Sequence, residues 1–467
     1  MRCKMGINKF KILNEGVAGK TQRNLLISVF SVCFFLMLVV VSYPVKEAEF
    51  RLLSQIAELP YILLFSAMIA ILFAAVLYFI SIHLDEELVF SAMLFVAVGT
   101  AAVLLLRIAL FYGISRDYTF CLAQWVAQMR SLAGVQPLVQ SIGDYNMPYL
   151  YLLFGISKIT VIPDLYMIKF VSVIFDFILA FYLMKLTCLK FSKNVGLFVF
   201  FGSLIVPTAV LNSAFWAQCD SIYVAFLVGF LYYALKEKPN GLLSVAFYTL
   251  AFSFKLQAVF LAPMLLVFIM VGKLKFKELL MFPVVFIAAL LPAIVVGRPI
   301  WQTFSIYFNQ VANYPEITLN TPSLYGLLGS VDFHAFNFAA LMIALIGVAG
   351  FIYFLFKKAE YLSTQLLFEA AFIFSLMIPY LLPRMHERYF YLADALAIIY
   401  FIYNRKKWYV PASLILLSFA TYQHFLFGTP YIYLNLGIGA ILCGGILVIV
   451  IKDFSKKIYG KTGKNAQ

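Results

Sequence analysis

Residues Leu25–Val41 read LLISVFSVCFFLMLVVV, an apolar run without one charged residue, preceded by Arg2, Lys4, Lys9, Lys11, Lys20 and Arg23. A cationic flank before such a run opens either a membrane helix held with its N-terminus in the cytoplasm or a signal peptide. The continuation Val45–Lys46–Glu47–Ala48–Glu49 carries no small-x-small cleavage signature, which favours an uncleaved first span. A bilayer core takes about 20 apolar residues per helix. Runs near that length recur at about 60–83, 88–112, 165–187, 194–213, 220–235, 241–254, 258–272, 278–296, 336–356, 363–382, 389–403, 408–425 and 430–451. The fold class that follows is all-α: a polytopic transmembrane helix bundle of about 13–14 spans.

Composition points the same way. Of 467 residues, 64% are hydrophobic and 12% charged, against about 25% charged in a soluble domain. The net charge of +14 does not indicate a nucleic-acid partner, because the cations sit in short clusters between apolar runs. Alternating the spans from a cytoplasmic N-terminus places the six N-terminal cations inside. With them fall Lys185, Lys190 and Lys193; Lys236 and Lys238; Lys273, Lys275 and Lys277; Lys357 and Lys358; Arg405, Lys406 and Lys407; and Lys452, Lys456, Lys457, Lys461 and Lys464. Those are 24 of the 35 Lys and Arg, so both termini are read as cytoplasmic. The turn Asp85–Glu86–Glu87 fails the test, but acids count for little in it. The same test makes Met147–Ile162 an interfacial helix on the outer leaflet rather than a span. The six cysteines are dispersed and lack CxxC spacing, which suits apolar filler.

This topology gathers polar residues at the outer helix ends. The first large outer loop, Gly113 to about Pro163, opens on Arg116–Asp117–Tyr118. An amphipathic stretch follows, with Tyr118, Leu122, Trp125, Val126, Met129, Leu132 and Ala133 on one face and Gly134 as its stop. Then comes the turn Gly143–Asp144–Tyr145–Asn146. Juxtamembrane helices flanked by two acids suit a substrate that is half lipid. Further along the outer face lie Asn212, Trp216, Gln218 and Asp220; Lys255 and Gln257; Glu316 and Asn320; and Arg384, His386, Glu387 and Arg388. Arg and His at a membrane boundary match a lipid phosphate, which accepts charge-assisted hydrogen bonds.

Structural roles compete with each of these. Asp117 can cap the amphipathic helix, Asp144 can serve its turn, and Asp164 and Asp220 can begin helices. Lys255 can snorkel, and His386–Glu387–Arg388 can form a closed ion-pair knot. Asp176, Glu369 and Asp394, inside spans, read as packing groups first.

The order of these elements resembles the GT-C superfamily of membrane glycosyltransferases. Four motifs are similar to bacterial relatives of the second GPI mannosyltransferase: Asp144–Tyr145–x–x–Pro148–Tyr149–Leu150–Tyr151, Asn212–Ser213–x–x–Trp216–x–Gln218–Cys219–Asp220–Ser221, Ser253–Phe254–Lys255–x–Gln257–Ala258 and Met385–His386–Glu387–Arg388–Tyr389–Phe390. The chain departs from many superfamily members in placing the acidic loop after the third span rather than the first.

The resemblance implies an enzyme. Its activity would be inverting transfer of a mannose-like hexose from a polyprenyl-phosphate donor to an extracytoplasmic glycan, glycolipid or wall-polymer acceptor. The place would be the cell membrane, with the extracytoplasmic first loop carrying the catalytic acid. Asp117 would be the catalytic base. Lys255, Arg384, His386 and Arg388 would bind the donor phosphate. Asp144, Tyr145, Asn212, Trp216, Gln218, Asp220, Gln257 and Glu387 would contact sugar or acceptor, with Trp216 as a stacking surface. An acidic half around Asp117 and Asp144 would face a basic half around Lys255 and Arg384–Arg388. No cofactor is expected, nor a divalent metal, since the neighbour of Asp117 is Arg116. One integral membrane domain is expected, divided into a basic tail (1–23), an added hairpin (24–87), a catalytic core (88–403) and C-terminal spans with a basic tail (404–467). The competing classes are a flippase or transporter of lipid-linked sugars, whose site would lie near the bilayer midplane, and a polysaccharide polymerase or ligase.

Overall fold

The computed structural model describes residues 4–42, 52–53, 55–56, 58–84, 90–309, 316–328, 333–428 and 435–465. The Val45–Glu49 segment, the Asp85–Glu86–Glu87 turn and the Tyr314–Pro315 pair lie outside them. The described chain is almost entirely helical, as it must be where no water can satisfy backbone groups. It divides into two compact units, 1–113 with 159–170, and 114–158 with 171–467.

The first unit holds α1 (Lys4–Ser42), α2 (Leu59–Leu84), α3 (Phe90–Ala109) and the opening turns of α7 (Asp164–Cys188). The third helix therefore groups with the N-terminal pair. Phe34 stacks on Phe73 at 4.5 Å, and Phe65 meets Phe111, Tyr166 and Phe170. The buried Lys169 ammonium donates to the carbonyls of Phe111 (2.9 Å) and Gly113 (2.5 Å), just past the end of α3, where helical carbonyls lack partners.

The second unit carries the rest of α7 and α4 (Ala123–Ser131), α5 (Gln136–Val139), α6 (Met147–Ser157), α8 (Lys193–Leu204), α9 (Pro207–Val210), α10 (Asp220–Leu235), α11 (Gly241–Phe254), α12 (Ala262–Met270), α13 (Met281–Val295) and α14 (Ile300–Asn309). After β1 (Thr318–Leu319) come α15 (Phe333–Lys357), α16 (Thr364–Leu381), β2 (Met385–His386), α17 (Tyr391–Tyr403), α18 (Tyr409–Phe427) and α19 (Leu436–Asn465). Two π-helical turns, Tyr118–Leu122 and Leu211–Phe215, interrupt the α pattern.

Each of the fourteen expected spans contains helix, but not fourteen full spans. Among the described residues nine helices are long and apolar enough to cross a membrane, or ten if α8 and Pro207–Phe215, bent by 54°, count as one. The helices 220–235, 241–254, 256–270 and 391–403 are shorter. The sequence next to them breaks into irregular segments that carry polar side chains. Irregular backbone within a membrane protein is tolerated where it is buried in protein or lines a cavity, and α10, α16 and α17 are buried on nearly every face. Met147–Ile162 forms an 11-residue helix ending at Ser157, too short to span. Tyr151 ties it to α13: its hydroxyl accepts from the Ala293 amide (3.1 Å) and donates to the Leu290 carbonyl (3.3 Å), beside Pro292, which lies inside the helix and lacks an N–H.

At the opposite end of α16 from β2, the buried Glu369 carboxylate accepts from Lys457 Nζ (2.7 Å), Gln365 Nε2 (2.9 Å) and Asn404 Nδ2 (3.2 Å). Lys457 also reaches Asn404 Oδ1 (2.6 Å) and Asp453 (3.0 Å), and Asp453 pairs with Lys407 as well. This network fastens α19 to α16 and α17, the packing role read for Glu369. Glu369→Ala should destabilise the folded protein by about 3 kcal/mol and Glu369→Gln by about 1 kcal/mol. Thermal unfolding of both variants in detergent checks this, and equal stability of Glu369→Ala and wild type would refute it.

Candidate functional site

The segments that interrupt the helices converge. Trp216 Nε1 donates to Asp117 Oδ2 at 2.9 Å, Gln218 Nε2 donates to the same oxygen, and Arg388 Nη1 stands 3.9 Å from it. Asp117 makes no capping bond to the π turn that follows it, so the capping role open to it in the sequence is not the one it plays. Ser115 joins the two segments, donating through its hydroxyl to the Trp216 carbonyl (2.7 Å) and accepting from the Tyr118 amide (3.2 Å).

Arg388 is the hub. Its guanidinium lies 3.6 Å from Asp220, 3.3 Å from Glu387 and 5.6 Å from the centre of the Trp216 ring. Burial works against its charge. Neighbouring Tyr145, Asp220, Asp117 and Glu387 outweigh that, and Arg388 is held more firmly protonated than a free arginine. Asp220 accepts from Lys255 Nζ (2.5 Å) and Asn212 Nδ2 (2.8 Å). Lys255 is thus a buried ion-pair partner rather than a snorkelling cation. Asp220, expected at sugar or acceptor, instead stands between the Lys255 and Arg388 cations.

Three further expectations change. Trp216 is completely buried, stacked on Phe425 at 4.7 Å, so its ring has no open face for a sugar. The His386 imidazole is pushed down to about 3, by burial first and then by the Arg388 and Lys255 cations. It is neutral near pH 7, a hydrogen-bonding group rather than a cation. Glu387, 2% exposed and beside Arg388, is closed off from a sugar; Asn212 and Asp220 are equally buried.

A cavity of about 370 Å³ is lined by Asp144, Tyr145, Lys255, Gln257, Arg384, His386, Arg388 and Tyr389, with Phe254, Phe260 and Leu341 among its apolar walls. β1 and β2 shape one wall. Thr318 pairs with Met385 and Leu319 with His386, the Arg384 amide donates to the Ile317 carbonyl (2.9 Å), and Thr321 Oγ1 donates to the Met385 carbonyl (2.7 Å). Arg384 itself adopts φ 61°, Asn320 φ 58° and Ala217 φ 66°. Non-glycine residues in this region cost about 1–2 kcal/mol each, and all three fall in the segments that build the site. Among the described residues, no three His, Cys, Asp or Glu side chains gather as a metal-ligand set; each acid of the cluster faces Arg388 or Lys255 instead.

Sequence reading missed Ser115, Tyr422 and Phe425. A serine beside Arg116–Asp117 was a readable signal. The α18 aromatics that cover Trp216 are Tyr422 at 5.0 Å and Phe425 at 4.7 Å, and nothing in their spacing marks them.

No family model and no curated protein matches the sequence. The site's chemistry therefore rests on this geometry. Burial raises the Glu387 carboxyl to about 7, with Arg388 beside it opposing the rise. The folded protein then holds this proton more tightly than the unfolded chain does. The stability it contributes is present at low pH and is lost as pH rises from the ordinary carboxyl range through about 7. Glu387→Gln removes that slope. Its stability relative to wild type should rise by about 1–3 kcal/mol between roughly pH 5 and pH 8, measured by unfolding in detergent at both. A pH-independent difference would show that Glu387 titrates normally.

Proposed function

We propose that the protein is a membrane glycosyltransferase of the GT-C type. It would move a mannose-like hexose from a polyprenyl-phosphate donor to an extracytoplasmic glycan, glycolipid or wall-polymer acceptor. The observation that carries this reading is the continuity of a polar cavity with an apolar groove. Val259, Leu341 and Leu382 line both the 370 Å³ cavity and a second space of about 410 Å³. That second space is walled by α12, α15 and α16 through such residues as Leu266, Ala344, Leu345, Val348 and Ile378. A ligand with a charged, hydroxylated head and a long hydrocarbon tail fits this pair of spaces. Leu266 and Leu345 are among the exposed residues of the groove, which gives the tail a way into the bilayer.

The chemistry divides accordingly. An acceptor hydroxyl attacks the anomeric carbon, its proton passes to Asp117, and the bond from that carbon to the phosphate oxygen breaks with inversion. The electron pair leaves on polyprenyl phosphate, whose added negative charge meets Arg388, Lys255 and Arg384. The first two cations are already fixed by carboxylates, so little reorganisation accompanies charge development. His386, neutral, contributes a hydrogen bond. Asp144, Gln257 and Tyr389, which line the cavity, would meet sugar hydroxyls. In this reading both termini are cytoplasmic, the site faces outward, and the enclosing membrane is the cell membrane.

Purified protein in nanodiscs, given polyprenyl-phosphate mannose and a cell-envelope acceptor fraction, should release polyprenyl phosphate. Asp117→Asn should lower that rate by about 10²–10⁴-fold while keeping the elution profile of the folded protein. Translocation of the intact donor without cleavage would instead establish a flippase. In the groove, Ala344→Phe should raise KM for the long-chain donor several-fold and leave a short, water-soluble analogue unaffected. An equal loss with both donors would remove the groove from lipid binding.

A further inference from the structure

Gln218 and Tyr145 were expected at the sugar, yet their polar atoms point elsewhere. The Tyr145 hydroxyl donates to Gln218 Oε1 at 3.1 Å, and Gln218 Nε2 donates to Asp117 Oδ2. An amide has one acceptor end and one donor end, so the first bond dictates the second. Burial raises the Tyr145 phenol well above its ordinary value, keeping it a donor at every working pH. Trp216 Nε1 meets the same carboxylate oxygen. Between Trp216 and Gln218, Ala217 takes up the left-handed conformation at φ 66°, and the residues on either side of it both reach Oδ2. The Gln218 amide N–H donates to the Asn212 carbonyl (2.9 Å) and the Trp216 amide N–H to Leu211 (2.8 Å), fixing that turn to the π-helical segment behind it.

Trp216, Gln218 and Arg388 all converge on Oδ2. Among the described residues no hydrogen bond occupies Oδ1, on a side chain that is 26% exposed. Tyr145 also lines the polar cavity, with Lys255 Nζ 5.3 Å from the centre of its ring; Asp117 does not line it.

We infer that Gln218, oriented by Tyr145, is a positioning residue that locks the Asp117 carboxylate with Oδ1 toward the acceptor hydroxyl. The Tyr145–Gln218–Asp117 chain thereby links the donor cavity to the base. This inference rests on the assignment of Asp117 as base. When Tyr145 loses its hydroxyl, Gln218 is free to turn its oxygen toward the carboxylate, and the lock is lost without any change to Asp117 itself.

The test uses full-length protein with ¹⁵N-labelled indoles. The Trp216 Nε1–H resonance, assigned by its absence in Trp216→Phe, reports the bond to Asp117 Oδ2. Gln218→Met, nearly isosteric, and Tyr145→Phe should each displace that resonance, because the oxygen shared with Gln218 loses its second donor. With polyprenyl-phosphate mannose as donor, both should lower kcat about tenfold or more with donor KM held. An unmoved resonance in Gln218→Met overturns the inference, as does a loss carried by KM alone. Asp117→Asn separates the two readings. If it abolishes transfer while Gln218→Met is silent, the base stands and the lock falls. If it retains transfer, the base assignment falls, and the indole resonance of Gln218→Met still reports whether Gln218 holds the carboxylate.

Discussion

The site in the second unit depends on one constraint, a guanidinium buried among three carboxylates. Bringing Arg388 and its partners out of water costs several kcal/mol per ion. The cost is offset only if Asp117, Asp220 and Glu387 all arrive with good geometry. They come from three places far apart in sequence: a loop before α4, the first turn of α10, and the peptide adjoining Arg388 itself. Asp220 then requires Lys255 and Asn212, and Asp117 requires Trp216 and Gln218. The cluster therefore assembles as one unit, and its cations stand in place before any ligand enters.

That demand explains the short helices. A helix end that must supply Lys255, Asp220 or Arg388 to one point cannot also continue regularly through the full depth of a bilayer. The α-helical pattern is interrupted at 211–219, 255–261 and 382–390. It recovers the lost backbone bonds locally: in the β1–β2 pairing, in the Thr321 bond to Met385, and in the amide bonds of Trp216 and Gln218. Apolar groups surround these breaks, as with Phe425 over Trp216. Aromatic residues of α18 thus cover the polar interior.

Helical class and the polar character of the helix ends that converge were readable because apolar runs and charge clusters are local signals. So was the stretch Tyr118–Ser131, whose Leu122, Val126 and Met129 are indeed buried. Pairings were not readable. Lys255 at a helix end looks the same whether it snorkels or meets Asp220, 35 positions earlier. Trp216 looks like a platform until α18 brings Phe425 across it. Nothing in the order of residues says that one amide will spend both ends on Tyr145 and Asp117. Distances between segments are set by tertiary packing, and a single sequence carries no record of them.

The two π-helical turns, Tyr118–Leu122 and Leu211–Phe215, flank opposite partners of one contact, Asp117 on one side and Trp216 on the other. Such a turn holds one residue more than an α turn. Deleting any one residue from either would regularise the helix and rotate the adjoining side chain by about 100°, carrying carboxylate or indole out of register. Substitutions in these turns can be absorbed by packing, whereas length cannot. The spacing of the chain, more than the identity of its apolar residues, is what the site depends on here.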